Sequence, residues 1–218
     1  MPDLDDIAWF RVEDSRLDLI RRLRHLDFPT RKLQFSMNYS NFMYLVAGEV
    51  AARVGGVEYE ELVRSRILEP LGLSSTGFSP LEMAKNENHA IPYMAASYED
   101  AKNGIFERGY LDPVPMVDSA AGDLHSNVLD LVRWARVVMK LGELDGIQVL
   151  NKESLEETLK GHNFANNSRR TSDFGPVDAY GLGWLMNSYK GQGPMYSHCK
   201  CLLLNAGDIN RFFLVNSF

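Results

Sequence analysis

The spacing of apolar residues changes once along this chain, and that change constrains the fold more than any other feature. Up to about residue 160, one irregular stretch apart, the apolar positions recur at helical intervals, three and four apart, which places them on one face of a helix. Leu17, Ile20, Leu23 and Leu26 follow Ser15, a good helix cap, and Pro29 ends that pattern. A stronger helix follows the turn-like stretch Phe35-Ser36-Met37-Asn38-Tyr39-Ser40. Its expected buried stripe is Met43, Val46, Ala47, Val50, Ala51 and Val54, and Gly55-Gly56 supplies a left-handed stop. The next helix, about residues 59–68, turns Leu62, Val63 and Ile67 inward and closes at Pro70 and Gly72. Residues 74–115 show weak periodicity and many turn formers, so a long irregular excursion is expected there. Ser126 is expected to cap a helix reaching Met139, with Val128, Leu131, Val132, Ala135, Val138 and Met139 on one face. A short helix over about residues 152–160 and a polar insertion follow.

From Tyr180 onward the apolar residues come instead in short runs bounded by Gly, Asn and Asp: Gly183-Trp184-Leu185-Met186, Pro194-Met195-Tyr196-Ser197, Cys201-Leu202-Leu203-Leu204 and Phe212-Phe213-Leu214-Val215. Such runs favour strands, the last two joined as a hairpin. Helices first and antiparallel strands last predict an α+β fold, with helices packed on one face of an antiparallel sheet. A single unit over residues 1–218 is expected, mainly helical over about 15–175 and stranded over about 180–218, because no linker, repeat or low-complexity tract divides it.

Charge excludes some partners. The net charge is -6, and the densest basic stretch, Arg21, Arg22 and Arg24, is interleaved with Ile20, Leu23 and Leu26 as a solvated helix face would be. Nucleic acid is therefore not an expected partner. No run of about 18 apolar residues occurs, so no membrane span is expected. The acidic start Met1-Pro2-Asp3-Leu4-Asp5-Asp6 is unlike a secretory signal, which leaves the cytoplasm as the default compartment. Cys199 and Cys201 stand two apart, where an extended chain cannot easily close a disulfide, and no His, Cys or carboxylate set has metal-ligand spacing.

Four segments then occur in order. They are Tyr39-Ser40-Asn41 ahead of the strong helix; Ile67-Leu68-Glu69-Pro70-Leu71-Gly72-Leu73 with Thr76 and Phe78; Ala120-Ala121-Gly122-Asp123-Leu124-His125-Ser126 with Asp130-Leu131-Val132-Arg133-Trp134; and Tyr180-Gly181-Leu182-Gly183-Trp184. Each alone is weak, but as a collinear series the set resembles the β-lactamase-related family of penicillin-recognising serine hydrolases. It is most similar to the branch of class C β-lactamases, D-alanyl-D-alanine carboxypeptidases and esterases. The resemblance implies the β-lactamase/transpeptidase-like α+β fold and a serine acyl transfer without cofactor, on a small-molecule or peptide substrate that is a lactam, peptide or ester. A nucleophilic Ser at a helix start, with a Lys three residues on, forms the acyl-enzyme. On this mapping Tyr39 is the proton-relay phenol of the Tyr-x-Asn motif, and Asn41 binds substrate and Lys. Tyr196-Ser197-His198 looks like the beginning of the family's Lys-Thr-Gly or His-x-Gly motif and makes His198 a candidate substrate-binding residue. Cys199-Lys200 stands where glycines are expected. From the residues alone, Tyr39 also reads as a half-buried aromatic, Asn41 as a first-turn cap and His198 as a structural strand histidine.

The nucleophile motif of that family stands many tens of residues before Tyr-x-Asn, and the 38 residues ahead of Tyr39 contain no Ser-x-x-Lys. Ser197-His198-Cys199-Lys200 is the one occurrence in the chain, and its flanks favour an extended segment, where positions three apart face opposite sides. The expectation is thus an N-terminally truncated domain without the nucleophile helix and first strands, inactive by itself. Two alternatives remain: a non-catalytic binding or interaction module derived from the fold, or a gene-model or splice fragment.

Overall fold

The computed structural model of the chain describes residues 15–25, 39–109, 119–122, 124–167, 177–190, 192–198 and 213–215. Helix α1 spans Arg16–Arg22, capped by Ser15, whose side chain accepts from the Asp18 amide, and one tighter turn, Leu23–His25, extends it. Its buried residue is Leu19, which packs with Phe42 and Leu45 of helix α2, Asn41–Gly55. Ser40 caps α2, and Gly56 ends it at φ 71°, a conformation that Gly adopts without a Cβ penalty.

The buried face of α2 differs from the expected stripe. Phe42, Leu45, Gly48 and Ala52 point inward, while Met43 is 48%, Val50 54% and Val54 85% exposed. The helix is apolar nearly all round, so periodicity cannot choose a face. Tertiary contacts choose it: Leu19 meets Phe42 and Leu45, and loop 119–122 comes so close to Gly48 that a Cβ there would sit 2.5 Å from the Ala120 methyl.

Helix α3, Tyr59–Val63, runs directly into a π-helical turn, Arg64–Leu68. Leu68, Leu71 and Leu73 form the centre of the main core with Val137 and Leu144, and Val63, Ile67, Phe78, Trp134, Val149 and Leu150 pack around them. The excursion that follows holds helix α4 (Pro80–Ala84), strand β1 (Tyr93–Met94), helix α5 (Tyr98–Lys102) and strand β2 (Glu107–Arg108), with β1 and β2 antiparallel. Its last residues, 110–115, lie outside the described ones.

Helix α6 spans Val128–Met139. Its cap is Asn127, not Ser126: the Asn127 side chain accepts from the Asp130 amide at 2.9 Å, and the Ser126 hydroxyl pairs instead with that of Thr76 at 2.8 Å. The buried residues are Asp130, Val137 and Val138, whereas Val128 and Val132 from the expected face are 68% and 53% exposed. Packing of Val137 and Trp134 against Leu68, Leu71 and Leu73 sets this rotation. A small hairpin, β3 (Glu143–Leu144) and β4 (Ile147–Gln148), and helix α7 (Lys152–Thr158) complete the helical part.

The main sheet has five antiparallel strands in the order β5 (Asn163–Asn167), β6 (Val177–Tyr180), β7 (Leu185–Tyr189), β8 (Gln192–Ser197) and β9 (Phe213–Val215). It starts at residue 163, earlier than the expected onset near Tyr180, and takes in the segment that reads as a polar insertion. β5 lies at the sheet edge, paired with β6, and its sequence Asn-Phe-Ala-Asn-Asn carries no alternation of apolar and polar residues to mark a strand. The run Cys201–Leu204 lies outside the described residues, and β9 pairs with β8. Helices beside an antiparallel sheet make the fold α+β, as the sequence predicts. Among the described residues no helix is long and apolar enough to cross a membrane.

Candidate functional site

Tyr39 precedes α2, and Asn41 is its first residue. Ser40 between them is extended at φ -151° and ψ 113°, and its hydroxyl accepts from the Met43 amide at 3.4 Å. Capping thus falls to Ser40 and leaves Asn41, 3% exposed, buried at the helix start. Tyr39 is 42% exposed, open enough for its hydroxyl to meet a substrate.

His198 stands immediately after β8. Its Nε2 lies 3.3 Å from the Tyr39 hydroxyl, across 159 residues of sequence, and its Nδ1 lies 2.6 Å from the Gly183 carbonyl. A carbonyl oxygen only accepts, so Nδ1 carries the proton and donates it there. In the neutral ring Nε2 is then the acceptor, and the Tyr39 hydroxyl donates to it. The fold therefore brings together the two ends of the resemblance, the phenol before α2 and the histidine after β8.

Tyr180 and Tyr44 complete the cluster; the sequence marks Tyr180 as part of a motif without a site role and does not mark Tyr44. The Tyr180 ring meets Tyr39 edge-on at 6.5 Å and lies 6.3 Å from the His198 ring, while its hydroxyl is 3.3 Å from that of Tyr44 on α2. Burial pushes the Tyr180 phenol far above its ordinary range, and the hydrogen bond with the Tyr44 hydroxyl and charge repulsion from the Tyr44 and Tyr39 phenols add to the shift. Tyr180 is thus a buried wall of the cluster, and the Tyr39 hydroxyl is the one that meets His198. The motif Tyr180-Gly181-Leu182-Gly183-Trp184 is the signal that could have flagged it, since it supplies both this ring and the carbonyl that orients His198.

Ser197 of the lone Ser-x-x-Lys lies at the end of strand β8 and not at a helix start; Cys199, Lys200 and Cys201 lie outside the described residues. Among the described residues no group of three His, Cys, Asp or Glu side chains is gathered to hold a metal ion.

A cavity of about 490 Å³ adjoins the cluster and has His198 in its lining. It runs between α3 and α6 beneath loop 119–122. Ser119 of that loop hydrogen-bonds the Glu60 carboxyl, which also pairs with Arg16 of α1. Burial pushes Glu60 up, yet the hydrogen bonds from Ser119 and the backbone and the charge of Arg16 outweigh it and hold the carboxyl below its usual range.

The same architecture occurs in proteins of known structure. The octameric penicillin-binding protein homologue from Pyrococcus abyssi superposes on 90% of this chain and 41% of its own, with a TM-score of 0.66 and 24% identity. A D-amino acid amidase from Ochrobactrum anthropi SV3 superposes on 91% of this chain and 52% of its own, with a TM-score of 0.63 and 23% identity. In sequence, an unguisins hydrolase of Aspergillus campestris is 30% identical over 135 residues, 58% of this chain and 23% of its own length. The chain spans only 23% to 35% of the length of the curated relatives it matches. The Beta-lactamase family model matches residues 4–214, nearly the whole sequence, and the chain belongs to that family.

Proposed function

We propose that this chain supplies the Tyr-x-Asn side and the histidine-bearing strand of a serine acyl-transfer site for a small amide, lactam, ester or peptide. The observation that carries this reading is the 3.3 Å approach of the Tyr39 hydroxyl to His198 Nε2. In the reaction, a nucleophile hydroxyl gives its proton to the Tyr39 oxygen as Tyr39 passes its own to His198 Nε2. The imidazolium so formed keeps its Nδ1 proton on the Gly183 carbonyl. Asn41, buried beside Tyr39 in sequence, presents its amide to the substrate or to the lysine that partners the nucleophile. Named activities among similar proteins, hydrolysis of unguisins and of D-amino acid amides, are acyl transfers of this kind.

The 218 residues contain no helical Ser-x-x-Lys, which supports a second reading of them as binding without turnover. A fluorescent penicillin tests both. The expected result is saturable, reversible binding without covalent label, weakened by His198→Ala and by Tyr39→Phe. Stoichiometric labelling of the wild-type protein would overturn the reading of binding alone, and binding indifferent to both substitutions would overturn the site.

A further inference from the structure

The geometry points to a twofold dimer of this chain, formed when the free edge of strand β1 pairs with the same edge of a second copy. None of the residues of the acyl-transfer site takes part. Residues 81–109 carry most of α4, all of α5 and the β1–β2 ribbon, and not one of them is buried. Local hydrogen bonds shape the segment: the Ser79 hydroxyl caps α4 and the Ser97 hydroxyl caps α5. Yet Ile91, Tyr93, Met94, Tyr98, Ile105 and Phe106 are between 37% and 81% exposed. At roughly 200 Å² per aromatic side chain, Tyr93, Tyr98 and Phe106 alone leave about 400 Å² in water, about half of one partner's share of a standard interface. Apolar surface of that extent, gathered in one short segment, marks an interaction site.

The backbone says which edge is open. Tyr93 stands across from Arg108 and Met94 from Glu107, and the Gly109 amide donates to the Pro92 carbonyl at 2.9 Å. Pro92 and Met94 therefore turn their backbone groups toward β2, while Ile91, Tyr93 and Ala95 turn theirs outward. Among the described residues nothing pairs with that outer edge. The N–H that Pro92 lacks would face β2, so the outer edge loses no donor. Neither a lysine nor a bulge blocks it, the usual guards of an exposed strand.

Charge selects the occupant. Twofold pairing along β1 sets Tyr93 opposite its own copy, Ile91 opposite Ala95 and Met94 opposite Pro92, so no charged residue meets another. The same operation on the outer edge of β2 sets Glu107 against Glu107 or Arg108 against Arg108, which is unfavourable. The β1 edge thus matches itself about a twofold axis, as an isologous dimer requires, and the product is a four-stranded antiparallel sheet shared by two copies.

Sedimentation equilibrium of the 218-residue protein from micromolar to submillimolar concentration tests this. The mass is expected to rise from that of a monomer to that of a dimer and to stop there. Tyr93→Lys is expected to weaken dimerisation about thirtyfold or more, because it removes an aromatic anchor at the axis and sets two ammonium groups against each other. Arg108→Gln, on the other strand, is expected to leave the dimer unchanged. Circular dichroism of both variants is expected to match the wild type, since both positions are exposed. If Tyr93→Lys does not fold, Met94→Lys, which faces Pro92 of the second copy, decides alone. A protein that stays monomeric throughout would overturn the dimer; protection of the Tyr93 amide from hydrogen exchange in that monomer would mean that another part of the chain covers the edge. A dimer indifferent to Tyr93→Lys and Met94→Lys, or one dissociated by Arg108→Gln, would place the interface elsewhere and overturn it as well.

Discussion

The two ring nitrogens of His198 face different partners, and the difference is what makes Tyr39 a donor. With the Nδ1 proton committed to the Gly183 carbonyl, Nε2 offers a lone pair to the phenol. Nitrogen-15 NMR of the His198 ring is expected to show a protonated Nδ1 and an unprotonated Nε2, and Tyr39→Phe is expected to shift Nε2 while leaving Nδ1 nearly in place. A protonated Nε2 in the neutral ring would reverse the direction of the hydrogen bond. Glu60 gives a second expectation at this scale. Its folded-state pKa lies below the unfolded value near 4.5, so the carboxylate contributes stability above that value and loses it as the pH falls through the folded-state pKa. Urea unfolding measured through this acid range is expected to show a smaller loss of stability in Glu60→Gln than in the wild type. At neutral pH the variant is expected to be the less stable of the two, since it gives up the ion pair with Arg16. An identical acid slope in both proteins would mean that Arg16 and Ser119 do not perturb this carboxyl.

Helix α2 separates what local sequence encodes from what only packing decides. Its limits are local, set by the Ser40 cap and by Gly56 in a left-handed conformation, and the motif residues at its start are legible for the same reason. Its orientation is not local: Met43 and Val54 are as apolar as Phe42 and Leu45, and tertiary contacts, among them those of Leu19 with Phe42 and Leu45 and of Gly48 with Ala120 and Tyr59, distinguish the faces. The same distinction explains the site. Tyr39, Asn41 and His198 are readable because each sits in a recognisable segment, and Tyr180 opens another, whereas Tyr44 matters only because α2 and the sheet bring its hydroxyl to 3.3 Å from that of Tyr180. Leu45→Ala is expected to cost about 2–5 kcal/mol, the usual range for truncating a buried leucine. Val54→Ala, at an 85% exposed position, is expected to stay within about 0.5 kcal/mol. Comparable losses in urea unfolding would mean that the face of α2 carrying Val54 is buried in solution.

Contacts between the helical part and the sheet determine how the whole molecule unfolds. The Tyr39–His198 and Tyr44–Tyr180 pairs join α2 to β6 and β8, and the Leu182 amide donates to the Thr158 carbonyl at 3.0 Å, joining the sheet to the end of α7. Within the helical part, Asp130 joins α6 to the turn at Ser75 and Thr76. If the sheet melted alone, Tyr180, 7% exposed, would leave Tyr44 on α2. The buried Leu68–Leu73 core would remain, because its members lie in residues 68–144, outside the sheet. Among the described residues the tie between the two parts thus includes the cluster of tyrosines with His198 and the backbone contact of Leu182 with Thr158, and Tyr180 is central to the first. Unfolding of the wild type is expected to be one transition, with far-ultraviolet circular dichroism and tryptophan fluorescence coincident, since Trp134 lies against the helical core and Trp184 precedes β7. Tyr180→Ala is expected to separate the two signals, the Trp184 contribution moving to lower denaturant while helicity persists. Coincident signals in the variant would place the coupling elsewhere, and separate signals already in the wild type would show that the helical part and the sheet fold as two units.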